Sequence, residues 1–193
     1  MDVRVIAGAY KGRRLAAPTW PGLRPTSDRL KESLFAILTP LLDGAHVLDG
    51  FAGSGALGIE ALSRGAASVV FVEQDGRAAD LIARNLAHCG IAEGYVMIRA
   101  EFTRALRQLP PDRRFDLALL DPPYDQADLA SAVEAAAGRL AAGGVLALEH
   151  ASRRPVPARA GRLAVSRQVK AGDSTVTIYR EAPEGAPAAT EEI

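Results

Sequence analysis

Five short, continuously apolar runs dominate the middle of the chain: AHVLD (45–49), SVVFVE (68–73), YVMIR (95–99), FDLALLD (115–121) and GVLALEH (144–150). Runs of this length without polar alternation read as strands buried on both faces, the condition of a parallel sheet covered by helices. The segments between them supply the helices. Gly55–Arg64 follows a glycine-rich turn and stops at Gly65, Gly76–Cys89 places Ala79, Ile82, Ala83 and Leu86 on one face, and Asp128–Leu140 starts on an acid and ends before Gly143-Gly144. Strand and helix units repeated in this way require right-handed crossovers, so the expected fold is a doubly wound α/β sheet. Near the C-terminus the period changes to two. Val176 and Ile178 alternate with Thr175, Thr177 and Tyr179, so that 163–169 and 174–180 form an antiparallel hairpin around Ala171-Gly172-Asp173. The expectation is a seven-stranded, mostly parallel, Rossmann-like sheet ending in that hairpin.

The flanks differ in charge. The chain of 193 residues is neutral overall, with 23 basic and 23 acidic residues, but residues 1–31 hold seven bases (Arg4, Lys11, Arg13, Arg14, Arg24, Arg29, Lys31) against Asp2 and Asp28. Residues 181–193 hold four glutamates and no base. VRVIAGAYKGRRL reads as a small hairpin or extended arm, and after the proline-punctuated APTWPGLRPT, Ser27 or Asp28 caps a helix to about Leu42. The expected organisation is a basic arm (1–27), one α/β domain (28–180) and an acidic disordered tail (181–193). A cationic arm is the footprint of a nucleic-acid binder and equally of a solvated surface; charge alone leaves both open. Cys89, the single cysteine, excludes an intrachain disulfide and suits a reducing cytoplasm, while His46, His88 and His150 lack metal-ligand spacing. No apolar run approaches the roughly 20 residues of a membrane span, and the N-terminus has no signal pattern, so no membrane partner is expected.

Two motifs carry chemistry. Gly53-Ser54-Gly55-Ala56-Leu57-Gly58 is a G-x-G-x-x-G between strand and helix, and Glu73 ends the next strand 20 residues after Gly53. Glycines that let a ligand approach the backbone, and an acid for ribose hydroxyls, form the dinucleotide fingerprint. In dinucleotide sites, however, the glycines follow the strand at once so that pyrophosphate meets the helix N-terminus, whereas here the strand ends in Asp49 and Gly50-Phe51-Ala52 intervene. A carboxylate beside the loop repels pyrophosphate and suits the ammonium and sulfonium of S-adenosyl-L-methionine. A glycine-rich turn holding no ligand is the plain alternative.

The second motif, Asp121-Pro122-Pro123-Tyr124, follows the fourth strand, where ligands of open α/β sheets collect. It fits an exocyclic amine conjugated with a heteroaromatic ring, whose delocalised lone pair makes a poor nucleophile. The Asp121 carboxylate and Pro122 carbonyl would accept the amino hydrogens and turn the lone pair towards a methyl donor while Tyr124 stacks on the ring. A proline turn closing a strand is the bland reading of the same residues.

Together these residues resemble the bacterial 16S rRNA guanine-N2 methyltransferases of the small-subunit methyltransferase D type, within the class I S-adenosylmethionine-dependent methyltransferases. The resemblance runs from about Arg4 to Arg180 and is carried by RVIAGAYKGRRLAAP, LRPTSDRLKESLF (23–35), VLDGFAGSGALGIEALSRGA (47–66), VEQD (72–75), Asn85-Leu86 and DPPY. LRPTSDR is the most specific piece. It implies a monomer that methylates N2 of one guanine of 16S rRNA in an assembling small ribosomal subunit. By residue, it makes Asp49, Gly53, Ser54 and Gly55 the wall on the methionine side, with Phe51 and Ala52 of the same loop. Glu73 becomes the ribose clamp beside Gln74, Glu101-Phe102 flank adenine, and Asp121 serves both cofactor and acceptor within the catalytic Asp121-Pro122-Pro123-Tyr124. Arg4, Lys11, Arg13, Arg14, Arg24 and Arg29 would meet RNA. The family more often has a bulky apolar residue at Gly50 and DPPF for DPPY, which puts the loop packing at Gly50 in question. The competing readings are an adenine-N6 DNA methyltransferase, which lacks room here for a domain reading the major groove, a catalytically silent RNA-binding module, and an NAD oxidoreductase.

Overall fold

The computed structural model describes residues 3–18, 20, 28–124 and 126–182, with the backbone only at 28 and 29. A hairpin of β1 (Val3–Arg4) and β2 (Arg14–Leu15) precedes helix α1 (Asp28–Leu38). Then follow β3 (His46–Gly50), α2 (Ala56–Ser63), β4 (Ser68–Val72), α3 (Gly76–His88), β5 (Tyr95–Ile98), α4 (Phe102–Gln108), β6 (Phe115–Leu120), α5 (Leu129–Ala137) and β7 (Leu140–Ala151). The chain closes with β8 (Arg159–Ala160), β9 (Leu163–Ala171) and β10 (Ser174–Glu181). The main sheet has the order β5-β4-β3-β6-β7-β10-β9-β8. Its first five strands are parallel and its last three antiparallel. The order reverses between β3 and β6, and the crevice at such a switch point is where α/β sheets bind ligands.

Side chains of successive strand residues enter opposite faces. Val47, Val69 and Phe71 join the core under α1, α2 and α3, whereas Leu48, Val70 and Val72 join the core under α4 and α5. Double burial is what the unbroken apolar runs encode. Each such Leu, Val or Phe contributes roughly 1.5–3 kcal/mol on leaving water.

Three differences from the sequence reading have local causes. The sheet has eight strands rather than seven, because Arg159–Ala160 pairs with Ala164 and Leu163, and two residues are too few to show a period. Helix α4 carries no sequence signal, because its seven residues, FTRALRQ, span barely two turns. Helix α1 stops at Leu38 and continues only as a 3-10 turn over Thr39–Leu41, since Pro40 offers no N–H to an α-helical ladder.

The basic N-terminal stretch is sewn into the first core. Val3, Val5 and Leu15 are buried with α1–α3. The buried Glu60 carboxylate accepts from the N–H groups of Ile6 (2.7 Å) and Ala7 (3.1 Å), and pairs with Arg64 at 2.7 Å. Ser63 Oγ accepts from Tyr10 N–H and donates to the Ala7 carbonyl, and buried Lys31 Nζ donates to the Arg4 carbonyl. These side chains satisfy hairpin backbone groups that its two-residue strands leave unpaired. At the other end, Glu181 closes β10 and bridges Arg162; of the expected tail, residues 183–193 lie outside the described residues.

Candidate active site

Asp49 sits beneath the glycine loop, 1% exposed, where its Oδ2 accepts from Gly58 N–H at 2.8 Å. Burial pushes its carboxyl up to about 8, the Gly58 N–H opposing the shift and the Glu73 charge adding to it. Gly58 has to lack a side chain: a Cβ there would lie 2.3 Å from the Phe71 ring and 2.8 Å from the Asp49 carboxylate. Helix α2 therefore approaches β3 and β4 as closely as the third glycine of the motif allows.

Glu73, at the end of β4, clamps the loop from the side. Its Oε2 accepts from Gly53 N–H and its Oε1 from Asp75 N–H, both at 2.8 Å. Asn85 of α3 holds the loop from a third direction, donating to the Ser54 carbonyl (2.9 Å) while exchanging hydrogen bonds with both backbone groups of Ala16. One amide thus ties the hairpin segment to the glycine loop. Between Asp49 and the glycines, Phe51 takes φ +59°, a left-handed conformation that costs a non-glycine residue about 1–2 kcal/mol. Its ring stacks on Phe102 at 4.8 Å between centroids. This also answers the question at Gly50. A Cβ there would lie 2.4 Å from the Phe102 ring and 2.6 Å from Leu120, so the space of a bulky side chain is already filled by those two residues.

A cleft of about 200 Å³ opens beside the loop. Its apolar walls are Phe51, Phe102, Val72 and Ala100; its polar groups are Glu73, Gln74, Asp75, Arg77 and Asp121; Trp20 and Pro123 complete it. The Arg77 guanidinium lies 4.9 Å from the Trp20 ring centroid and pairs with Asp75 at 2.8 Å, which holds the Asp75 carboxyl down at about 2. Asp121 reaches the cleft because β6 lies next to β3, Gly50 facing Leu120, with Asp121 N–H donating to the Gly50 carbonyl at 3.3 Å.

The DPPY loop is more open. Pro122 is buried and Pro123 half-buried, but Tyr124 is 40% exposed. Its hydroxyl shares a hydrogen bond with Ser174 Oγ at 2.6 Å, and Arg154 donates to the carbonyls of Tyr124 (2.6 Å) and Gln126.

Of the residues singled out from sequence, Phe51, Glu73, Gln74, Phe102, Asp121 and Pro123 meet around the cleft. Asp49, Ala52, Gly53, Ser54 and Gly55 form the loop and its support and do not line the cleft. Buried, with its carboxyl pushed up to about 8, Asp49 holds the Gly58 N–H and does not bring to a ligand the charge its position in the sequence suggests. Glu101 instead caps α4: its carboxylate accepts from the N–H groups of Thr103 and Arg104, and despite partial desolvation these bonds lower its pKa. Ala100 takes the place beside Phe102. Trp20, Asp75, Arg77 and Ala100 were missed. A lone tryptophan in a proline-rich loop was the one available signal for Trp20, and the others become visible only once α3 and β5 are placed. Arg4, Lys11, Arg13 and Arg14 are exposed on the hairpin, where Arg13 also donates to the His88 carbonyl at 3.0 Å and lies over the Tyr10 ring. Arg24, Thr26 and the side chains of Asp28 and Arg29 lie outside the described residues.

A solved structure from Escherichia coli, described as a candidate methyltransferase, matches with a TM-score of 0.80 and 32% identity over 94% of this chain and 98% of that one. Fold and site thus define a class I methyltransferase. Residues 3–180 match the family described as Conserved hypothetical protein 95. Ribosomal RNA small subunit methyltransferase D of Escherichia coli strain K12 is 32% identical over 186 residues, 95% of this chain and 92% of that protein. Its namesake in Haemophilus influenzae is 43% identical over 125 residues, 64% of each chain. The chain belongs to this family, the small-subunit rRNA methyltransferase D type.

Proposed function

We propose that this protein transfers a methyl group from S-adenosyl-L-methionine to the exocyclic N2 of one guanine of 16S rRNA, acting as a cytoplasmic monomer on the assembling small ribosomal subunit. One observation carries the reading: Glu73 and Asp121, from strands on opposite sides of β3, face a single aromatic-walled cleft. The residues present fit the cofactor. Each Glu73 oxygen accepts one backbone N–H and keeps a second acceptor site for a ribose hydroxyl. Phe51, Phe102 and Trp20 offer faces for adenine, and among the described residues Arg77 is the one base lining the cleft. The cofactor, when bound, supplies a methyl group activated by its sulfonium.

The chain's own residues then address the acceptor. The Asp121 carboxylate and Pro122 carbonyl hold the two amino hydrogens, directing the nitrogen lone pair at the methyl carbon, and Tyr124 stacks on the base. Asp121 takes the proton that the nitrogen must lose once it has formed its new bond. Positioning and electrostatics of this kind are sufficient where the electrophile is already activated. A base reached in this way has to leave its stack, at a cost of a few kcal/mol that contact with the loop offsets. The exposed Arg4, Lys11, Arg13 and Arg14 support phosphate contacts, and the names of the relatives support rRNA as substrate. Among the described residues no helix is long and apolar enough to cross a membrane.

The test is mass mapping of rRNA from cells with and without the gene, paired with calorimetry of S-adenosylmethionine binding. Loss of a single N2-methylguanine from 16S rRNA is expected. An unchanged rRNA methylation map, or binding of NAD in place of S-adenosylmethionine, overturns the proposal.

A further inference from the structure

The acceptor loop is fastened from a part of the chain that the catalytic motifs do not touch. Arg154, just beyond β7, donates through both terminal nitrogens to the Tyr124 and Gln126 carbonyls, and Ser174, the first residue of β10, shares a hydrogen bond with the Tyr124 hydroxyl. Gln126 N–H in turn donates to the Pro123 carbonyl at 2.9 Å. Two loop carbonyls, those of Tyr124 and Gln126, are thereby held by Arg154, and the Pro123 carbonyl is closed within the loop's own turn.

The anchors are themselves built into a polar layer at the end of the sheet. His150, 4% exposed, donates from Nδ1 to the Ala151 carbonyl and accepts at Nε2 from Thr177 Oγ1. Burial, aided by the Arg154 charge, keeps this imidazole below its ordinary pKa, which favours the neutral ring in which Nδ1 donates and Nε2 accepts. Thr177 Oγ1 also accepts from Gln168, Ser152 Oγ bonds to buried Thr175 Oγ1, and Ser152 N–H donates to the Asp173 carbonyl. Arg154 N–H donates to the Ala151 carbonyl. Buried hydrogen-bonded networks of this sort hold one geometry because every alternative leaves a polar atom unpaired. The layer meets both anchors at Ala151, whose carbonyl accepts from His150 Nδ1 and from Arg154 N–H and which pairs with Ser174 across β7 and β10.

We propose that Arg154 and Ser174 are positioning residues for methyl transfer, bracing the acceptor loop so that Tyr124 presents its ring to the target base and the Pro122 carbonyl stays aligned with Asp121. The Tyr124 hydroxyl then has a specific purpose that phenylalanine could not serve: it locks the ring to the C-terminal hairpin. The assignment rests on the function proposed above and concerns the acceptor half alone.

Two readouts separate the brace from that function. In hydrogen exchange on the full chain, R154A raises the exchange rate across residues 121–126 about tenfold, R154K raises it less, and the glycine loop is unmoved. In methyl transfer to small subunits lacking the modification, R154A lowers kcat at least tenfold, in keeping with the roughly 100-fold that a misplacement of about 1 Å can cost, while the affinity for S-adenosylhomocysteine stays within twofold. Y124F and S174A each lower kcat a few-fold, and the double variant is no worse than either, since both remove the same bond. Unchanged exchange in R154A and S174A, kcat losses that add in the double variant, or cofactor affinity falling in parallel with kcat overturns the brace. Exchange that rises as expected in an enzyme whose wild type methylates no RNA leaves the brace standing and overturns the function.

Discussion

The glycine loop and the DPPY loop leave neighbouring strands of one sheet, yet one is held from beneath and the other from outside. Asp49, Glu73 and Asn85 are each under a tenth exposed and bind the glycine loop through its backbone. The DPPY loop carries an exposed tyrosine and is held by side chains from Arg154 and Ser174. A small ligand of constant shape is served by a rigid, preorganised seat, whereas a base delivered by a large RNA needs a surface it can enter from solvent. Catalytic failure and binding failure should therefore separate by half.

The sharpest break is at Asp121. D121A is expected to lower turnover by roughly 100–1,000-fold or more, since it removes the acceptor proposed to orient the amine. S-adenosylhomocysteine affinity should stay within a few-fold. Parallel loss of both would place Asp121 on the cofactor side and erase the contrast between the halves.

E73A is the mirror experiment. Losing two charged acceptors worth about 1.5–3 kcal/mol each should weaken cofactor binding by roughly 100-fold or more, and the Gly53 and Asp75 N–H groups lose their partner as well. Trp20, the only tryptophan of the chain, lines the same cleft, so its fluorescence reports the titration directly. An unchanged dissociation constant would remove Glu73 from the site.

Asp49 tests how deeply the first half is buried. Its carboxyl stands at about 8 in the folded protein against 3.8 as the ordinary value. Between these limits the folded state keeps a proton that the unfolded state releases, so this group's contribution makes stability fall as pH rises from about 4 to about 8, and flattens above that. Urea midpoints of wild type should decline across this range more than those of D49N. Equal slopes would mean that the carboxyl is better solvated than its burial indicates.

The smallest effect is expected at the hairpin. R13Q/R14Q should weaken small-subunit rRNA binding a few-fold and reduce the salt slope by about 2, leaving cofactor affinity intact. A modest loss of thermal stability should accompany it, because Arg13 also holds the His88 carbonyl. Identical salt slopes would reduce these arginines to a solvated surface.

Much of this was legible without coordinates. Unbroken apolar runs specify doubly buried strands, glycines after Asp49 specify a close-approach loop, and an acid at the end of β4 has one ordinary use beside such a loop. These are local signals, each contained in about ten residues. What the chain alone could not disclose is which distant groups meet. Phe102 fills the space that Gly50 vacates, Asn85 joins Ala16 to Ser54, Trp20 enters the cleft, and Arg154 with Ser174 grips a loop encoded some 30 to 50 residues earlier. No periodicity marks such residues, because their partners are set by the strand order β3-β6-β7-β10. Side-chain hydrogen bonds and ring contacts act over about 3–5 Å, and only the folded sheet brings those atoms within that range.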